Sequence, residues 1–551
     1  MRGKYTLTGI VLLLFVLNAC QAAATPTPTT PPATPTKAAA PATSTAAAAP
    51  AAATATRAPA AASPIAVPAT PTTAAKGPTP TGKIVVVIGA EPDNLESENA
   101  NSKQVFMIGF NVWERMVERD PKTSELKGLL AESWEQVNPA TWRFKLRKGV
   151  KFHNGETFKA DDVAATIGRL VDPNKPEVRV RRYFPDLTST KIVDENTVEI
   201  TSKSADPIMP LRMFFMPVDS MKFAKESPEE RPTKIIGTGP YKFVEWVKGQ
   251  FVRLTANENY WGTPNPFKDV TFVWRAESTV RAAMIKTGEA QVVQEISPSD
   301  AKSLQKTVNN ATVETVILRP DTDIAPFKDK RVRQAISYAI DRDSLVKTIM
   351  EGNATSASHL FADFVIGYAP SLKPYAFDTA KAKQLLKDGG GEGAAFNLVG
   401  HKGRFSRDNE VYEAIVNMLS AVGFKAKVEI REQAAWRDAT YAVAPGTRSA
   451  MVGIEHGNEF GDASGSYDNY IAKDGRQATY ANDQITQQIK AAAAATGQDR
   501  VKKYQDVSKF VYEEMPIIPV FHRNQILGLD PKLDWKPRID GLLLFKEFTV
   551  K

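Results

Sequence analysis

The chain has 551 residues, 42% of them hydrophobic and 24% charged, with a mean hydropathy of -0.29. This is soluble globular composition, long enough for several cores at about 100 to 200 residues per domain. A net charge of +8 invites a nucleic-acid reading, but residues 1–82 hold five basic residues and no acid, leaving 65 basic against 62 acidic groups beyond them. That near-neutral remainder offers no phosphate-binding surface, so no nucleic-acid partner is expected. A single cysteine, Cys20, excludes an internal disulfide framework, a cysteine-based zinc site and an iron–sulfur cluster.

Arg2 and Lys4 precede an uncharged run from Tyr5 to Asn18 centred on Ile10 to Leu17. A charged start followed by an apolar segment shorter than the ~20 residues of a membrane-spanning helix reads as an export signal over residues 1–19. Leu17-Asn18-Ala19-Cys20 resembles a bacterial lipobox, in which the cysteine is lipidated and becomes the new N-terminus. Two or more acyl chains hold stably where one binds only reversibly, so Cys20 is expected to anchor an extracytoplasmic protein to the cell membrane. Residues 21–81 are Ala, Pro and Thr with few interruptions, and contain no aromatic and no acid. No core can form there, so residues 20–82 are read as lipidated cysteine plus disordered tether. At about 3.1 Å per residue in extended proline-rich chain, the tether reaches on the order of 190 Å fully stretched.

The folded part opens with Lys83–Ile88, an Ile-Val-Val-Val-Ile run closed by Gly89, which predicts a strand. A helix is expected around 105–117. Trp142-Arg143-Phe144-Lys145-Leu146 alternates bulky and charged residues at the period of a strand, and Lys151-Phe152-His153 leads into the turn signal Asn154-Gly155. Asp161-Asp162-Val163 starts a helix with acids in its first turn. Strands near 191–200, 242–254 and 270–275, and helices near 278–287, 330–349, 379–387, 407–421 and 483–513, follow without a regular period. The expectation is a mixed α/β (α+β) chain with no internal repeat.

Motifs for catalysis are scarce. There is no G-x-S-x-G elbow, P-loop, H-E-x-x-H or EF-hand loop, and Gly237-Thr238-Gly239-Pro240-Tyr241 lacks the third glycine of a dinucleotide turn. Ser344 and Lys347 fit S-x-x-K, but within a helix rich in Lys and Asp. The five histidines are far apart in sequence. No cofactor and no metal are expected.

Leu130-Ala131-Glu132-Ser133-Trp134-Glu135, followed by the run from Trp142 to Val163, resembles solute-binding protein family 5, which contains the dipeptide, oligopeptide, glutathione and nickel receptors of ABC importers. Later blocks keep the family's order: Gly237–Tyr241 with Asn259-Tyr260-Trp261; Phe327-Lys328-Asp329, Val332–Ala335 and Ala339–Arg342; Ala382–Leu386; and Met515–Pro519. The residues themselves read as scaffold, since Trp142, Phe144, Leu146 and Phe152 suit one buried strand face and Gly237–Tyr241 suits a turn. The resemblance implies a two-lobed periplasmic-binding-protein-like fold of type II with an inserted domain. Lobe one would be 83–125, 202–320 and 515–551, the inserted domain 126–201 and lobe two 321–514. It implies a monomeric receptor and not an enzyme, closing about a hinge on a peptide-like solute and delivering it to the membrane-embedded permease of an ABC importer.

Peptide-binding relatives hold the peptide's ammonium on an aspartate after a G-W-x-x-D-like strand end. The matching stretch is His456 to Ser464, where Asp462 falls on the aspartate, beside His456, Asn458, Glu459 and Phe460; no tryptophan stands near Gly457. An enclosed cation must meet a fixed anion, or its desolvation is uncompensated. Trp436 aligns with an aromatic that walls the cleft, and Arg404 lies near an arginine that dipeptide receptors keep for the carboxylate. Ser97, in the loop after the first strand, completes the candidates. Two rivals stay open within the binding class, a nickel receptor using His456 and an oligosaccharide receptor using aromatic stacking. A third, of another class, is an extracellular hydrolase using Asp462, Glu459 and His456 as acid and base.

Overall fold

The structure, a computed structural model, describes residues 82–551 except 101, 122, 124, 176–177, 227–228, 264, 403 and 442–448. The signal, Cys20 and the tether up to residue 81 lie outside the described residues. Eleven strands build one mixed sheet: β1 (Lys83–Ile88), β2 (Tyr241–Val247), β3 (Phe251–Ala256), β4 (Asp269–Trp274), β5 (Val292–Val293), β6 (Thr307–Pro320), β7 (Ala354–Ser356), β8 (Ala395–His401), β9 (Lys425–Arg431), β10 (Met451–Gly457) and β11 (Ile518–Leu529). Their order is β9, β8, β10, β6, β11, β5, β1, β4, β3, β2, with β7 also paired to β11. Parallel pairs join β1 to β4 and β5, and β8 to β9 and β10. Parallel strands are covered on both faces and need continuous apolar runs, which Ile84 to Ile88 supplies.

The long strands β6 and β11 run through both lobes. Thr307–Ala311 pairs with Asn524–Gly528 and Thr315–Leu318 with Ile518–His522, so Thr312, Val313 and Glu314 stand opposite Arg523 at a break in the ladder. The buried apolar side chains divide at this break. One core gathers Ile84 to Phe272 with Leu527 to Phe548. Beyond it, successive residues of β6 point to opposite faces: Val316 and Leu318 pack with helices Lys330–Ala339, Thr379–Asp388 and Asp408–Val422, and Ile317 with helices Ser464–Tyr470, Asp483–Ala494 and Gly497–Glu514.

A second, antiparallel sheet orders the strands Ala131–Asn138, Thr141–Leu146, Thr197–Ser202 and Leu187–Asp194. Phe144, Leu146, Val198 and Ile200 are buried. In the register of the four strands, Glu135, Arg143, Glu199 and Lys191 form an ion-pair ladder, with Arg143 2.8 Å from Glu135 and 2.7 Å from Glu199.

The motif blocks are scaffold. Thr238, Tyr260 and Trp261 all donate to the buried Glu114 carboxylate, at 2.7 to 2.8 Å. A Cβ on Gly237 or Gly239 would stand 2.1 or 2.5 Å from the Val112 carbonyl oxygen, so only glycine lets these backbones meet. His153 joins the two blocks: the Gly237 N–H donates to Nδ1 at 3.3 Å and Nε2 lies 3.0 Å from the Gly239 carbonyl. Arg333 donates to the carbonyls of Phe327, Lys328, Glu514 and Met515, and Arg342 to that of Pro519, so the 327–342 and 515–519 blocks are one hydrogen-bonded unit.

Several expected elements are interrupted. The first helix is Lys103–Gly109, because the Trp113 ring folds back against Gly109, and a strand begins at Val117. Strands expected over 191–200 and 242–254 are each a hairpin of two. The 330–349 helix breaks at Ile340, where Asp341 accepts from the Ser344 N–H and caps a new turn. The 483–513 helix is two, parted at Ala495, with Arg500 donating to the carbonyls of Ala492, Ala493 and Ala495.

Candidate functional site

A cavity of about 660 Å³, in part continuous with solvent, lies where β6 passes between the lobes. Thr312, Val313 and Glu314 of the ladder break line it. The first helix and the turn after it contribute Ser102, Lys103, Phe106 and Phe110, and two short 3₁₀ segments contribute Arg182, Tyr183, Phe214 and Phe215. Asp540 and Leu542 come from the C-terminal segment, and Glu459 alone comes from the loop after β10. The wall is thus largely aromatic, with Tyr183 stacked on Phe215 at 4.3 Å and Phe106 5.0 Å from Phe110.

The loop after β10 is docked on that wall. Arg119 donates to the carbonyl of Glu459, and to that of Phe460 at 2.6 Å. The Phe460 ring lies 5.3 Å from Tyr183 and 5.1 Å from Phe215, edge to face. Glu459 is exposed toward the cavity, yet desolvation by the surrounding wall raises its carboxyl above the usual carboxylate range, with Arg182 pulling the other way. Among the described residues no ion pair holds Glu459 or Arg182. At the foot of the cavity the charges are spent: Arg523 bonds Glu314 at 2.7 Å and also meets Glu455, and Lys103 bonds Gln525 at 2.9 Å and Glu295 at 3.3 Å. Against burial, Arg523 and Lys103 hold Glu314 well below the carboxylate range, whereas burial raises Glu455.

Of the residues singled out from the sequence, only Glu459 lines the cavity, and Phe460 packs on two of its wall rings. Asp462 needs a correction: it is 0% exposed and its oxygens accept from Arg500 Nε at 2.8 Å, from the second Arg500 nitrogen at 2.7 Å and from Ser464. With a guanidinium already in its fork and no exposed surface, this carboxylate is turned away from the cavity. His456 bonds the Ser466 hydroxyl at 2.7 Å and meets Tyr470 edge to face, and Asn458 bonds Ser466 and the Asp462 carbonyl. The imidazole that favoured nickel is therefore turned into the lobe, and neither it nor Asp462, which is bonded to Arg500, lines the cavity with Glu459. Trp436 donates its indole N–H to the Gly453 carbonyl at 3.1 Å and packs by His401, and Arg404 pairs with buried Glu455 at 2.8 Å; neither lines the cavity. Ser97 is 2% exposed and donates to Asp219 in a cluster with Glu98, Arg169 and Arg231.

The sequence reading missed the wall itself. Its signal was Arg212-Met213-Phe214-Phe215-Met216, an apolar cluster set between Pro210 and Pro217 with neither helical nor strand period, and the Arg181-Arg182-Tyr183-Phe184 run.

A two-lobed fold with a cavity at the strands joining the lobes is the architecture of a solute receptor. Residues 125–477 match the family described as bacterial extracellular solute-binding proteins, family 5, and the chain belongs to that family. It is similar to the glutathione-binding protein GsiB of Escherichia coli strain K12, 30% identical over 361 residues, covering 63% of this chain and 69% of GsiB. It is also similar to heme-binding protein A of Haemophilus influenzae, 27% identical over 480 residues, covering 79% of this chain and 85% of that protein. Among solved structures, the periplasmic binding protein DppA from Helicobacter pylori, in complex with peptide STSA, shares the fold with a TM-score of 0.74 and 22% identity, over 85% of this chain and 98% of DppA. Among the described residues no helix is long and apolar enough to cross a membrane.

Proposed function

We propose that this chain is a membrane-tethered receptor that encloses a peptide-like solute between its lobes and passes it to the permease of an ABC importer. The observation that carries this reading is the pair of opposite charges facing one cavity from two lobes, Glu459 and Arg182, neither held in an ion pair among the described residues. A zwitterion fits them: its ammonium on Glu459, in the role expected for Asp462, and its carboxylate on the planar guanidinium of Arg182. The relatives named for glutathione and the DppA–peptide complex support a peptide-like solute. The lobe division expected from the sequence places the crossings near 320 and 515; the cores part at 312–314 and 523, and a hinge at those breaks is part of this proposal. The tether rests on the lipobox at Cys20.

Native mass spectrometry of gently purified protein is expected to show a peptide-sized ligand. Calorimetry should then show that N-acetylating that peptide weakens binding thirtyfold or more, on the scale of about 2 kcal/mol or above for a stranded charge. Equal binding of free and acetylated peptide removes Glu459 from this role. Failure of every peptide while nickel or an oligosaccharide binds overturns the solute class. Cys20→Ser is expected to release the protein from membranes; wild-type protein found soluble with a free thiol overturns the anchor.

A further inference from the structure

We propose that the aromatic wall of the cavity is electron-poor and selects solutes bearing an electron-rich flat ring, of the indole or phenol class, over electron-poor rings and quaternary ammonium groups. This deepens the reading above and rests on the cavity being the solute site.

Two of the lining rings, Phe110 and Phe214, carry a guanidinium that does not itself line the cavity, whereas Tyr183 and Phe215 spend a face stacking on each other and Arg182, over Tyr183, lines the cavity. Arg115 lies over Phe110 at 3.9 Å and Phe214 at 4.7 Å, Arg119 over Phe214 at 4.6 Å and Phe215 at 5.5 Å, and Arg182 over Tyr183 at 4.6 Å. Arg115 and Arg119 are 1% and 2% exposed and do not line the cavity, so they stand behind the wall. Their charges are not cancelled by an ion pair among the described residues. The acids that act most strongly on them are paired with other cations, Glu118 with Lys546 at 3.0 Å and Asp540 with Arg538 at 2.8 Å. Burial lowers both arginines to about 10, which leaves them cationic at neutral pH.

The face of a benzene ring is the negative pole of its quadrupole, which is what attracts the guanidinium. A cation on one face draws π density toward itself and depletes the other. A second cation arriving there meets both the depleted ring and the first cation across it. An electron-rich ring, whose own face is negative, gains instead. Plain burial of apolar area predicts a different order, because a perfluorinated ring is at least as hydrophobic as the ring it replaces.

Calorimetry on the full chain tests this with two series of probes. One consists of tripeptides differing only in a tryptophan, tyrosine, phenylalanine, pentafluorophenylalanine or 4-trimethylammonium-phenylalanine residue. The other consists of the free acids indole-3-acetate, phenylacetate and pentafluorophenylacetate. The expected order is indole and phenol, then phenyl, then pentafluorophenyl and trimethylammonium, spanning about tenfold. Arg115→Met, checked for native circular dichroism, is expected to compress the span. Pentafluorophenyl binding as tightly as indole in the wild type overturns the proposal without any variant. Peptides that bind without this order leave the peptide receptor standing and overturn the electron-poor wall. Ring acids that bind in this order while peptides fail do the reverse. If neither series binds, both readings fall.

Discussion

The carboxylates of Asp462 and Glu459 leave one loop three residues apart and have opposite fates. Asp462 turns into its lobe, where Arg500 fills its fork and at the same time caps the C-terminus of helix Asp483–Ala494. Glu459 turns toward the other lobe and ends in the cavity. One acid is a fastener of the scaffold and the other is open to a ligand, although both sit in the stretch that the sequence marks as the binding loop. A carboxylate is therefore judged by whether a fixed cation already occupies it, and not by its place in a motif.

The comparison breaks first at Asp462. Asp462→Ala strands the buried Arg500 guanidinium and is expected to lower stability by about 3 to 5 kcal/mol, read from the urea midpoint, with little change in solute affinity for the protein that remains folded. A stability loss below about 1 kcal/mol, or a large affinity loss at unchanged stability, would exchange the roles of the two acids. Glu459→Gln is the converse: affinity for a free peptide falls thirtyfold or more by calorimetry, while the urea midpoint stays within the narrow range of a surface substitution.

Next in size is the acid response of the fold. Burial lowers His153 from 6.5 to about 4, and the Gly237 N–H needs its Nδ1 unprotonated. The unfolded chain takes up this proton near 6.5 and the folded one does not, so the stability this group confers is complete above about 6.5 and is lost as pH falls toward 4. His456 and His522, also lowered to about 4 by burial, share that sign. Melting temperature should decline through this window, and less steeply in His153→Gln; a profile flat from pH 7 to 4.5 contradicts it. The smallest effect is expected at the exposed ladder. Arg143→Ala should lower the melting temperature slightly, and high salt should erase the difference, since exposed pairs are screened. An effect that persists in high salt would mean that this ladder fastens its sheet as Arg500 fastens the loop.

Local pattern carried much of the fold. The apolar run of β1, the alternation of Trp142 to Leu146 and the Asn154-Gly155 turn, with Gly155 at φ +90°, follow from periodicity and turn chemistry, which act between near neighbours. Helix ends were less legible. The breaks at Ile340 and Ala495 depend on Asp341 and Arg500 finding backbone partners, and Arg500 lies five residues beyond the end that it caps.

The family, the lobed fold and the loop after β10 were set by sequence, because motifs such as Gly237–Tyr241 encode close backbone approaches that few residues tolerate. Which side chains face the cavity was decided by tertiary structure alone. The wall joins Phe110, Tyr183 and Phe214, brought from three segments into one core, and its distance to Glu459 depends on how two lobes close. Whether Asp462 is free depends on Arg500, 38 residues away. A carboxylate's availability is a property of its nearest cation, and chain folding, not sequence spacing, chooses that neighbour.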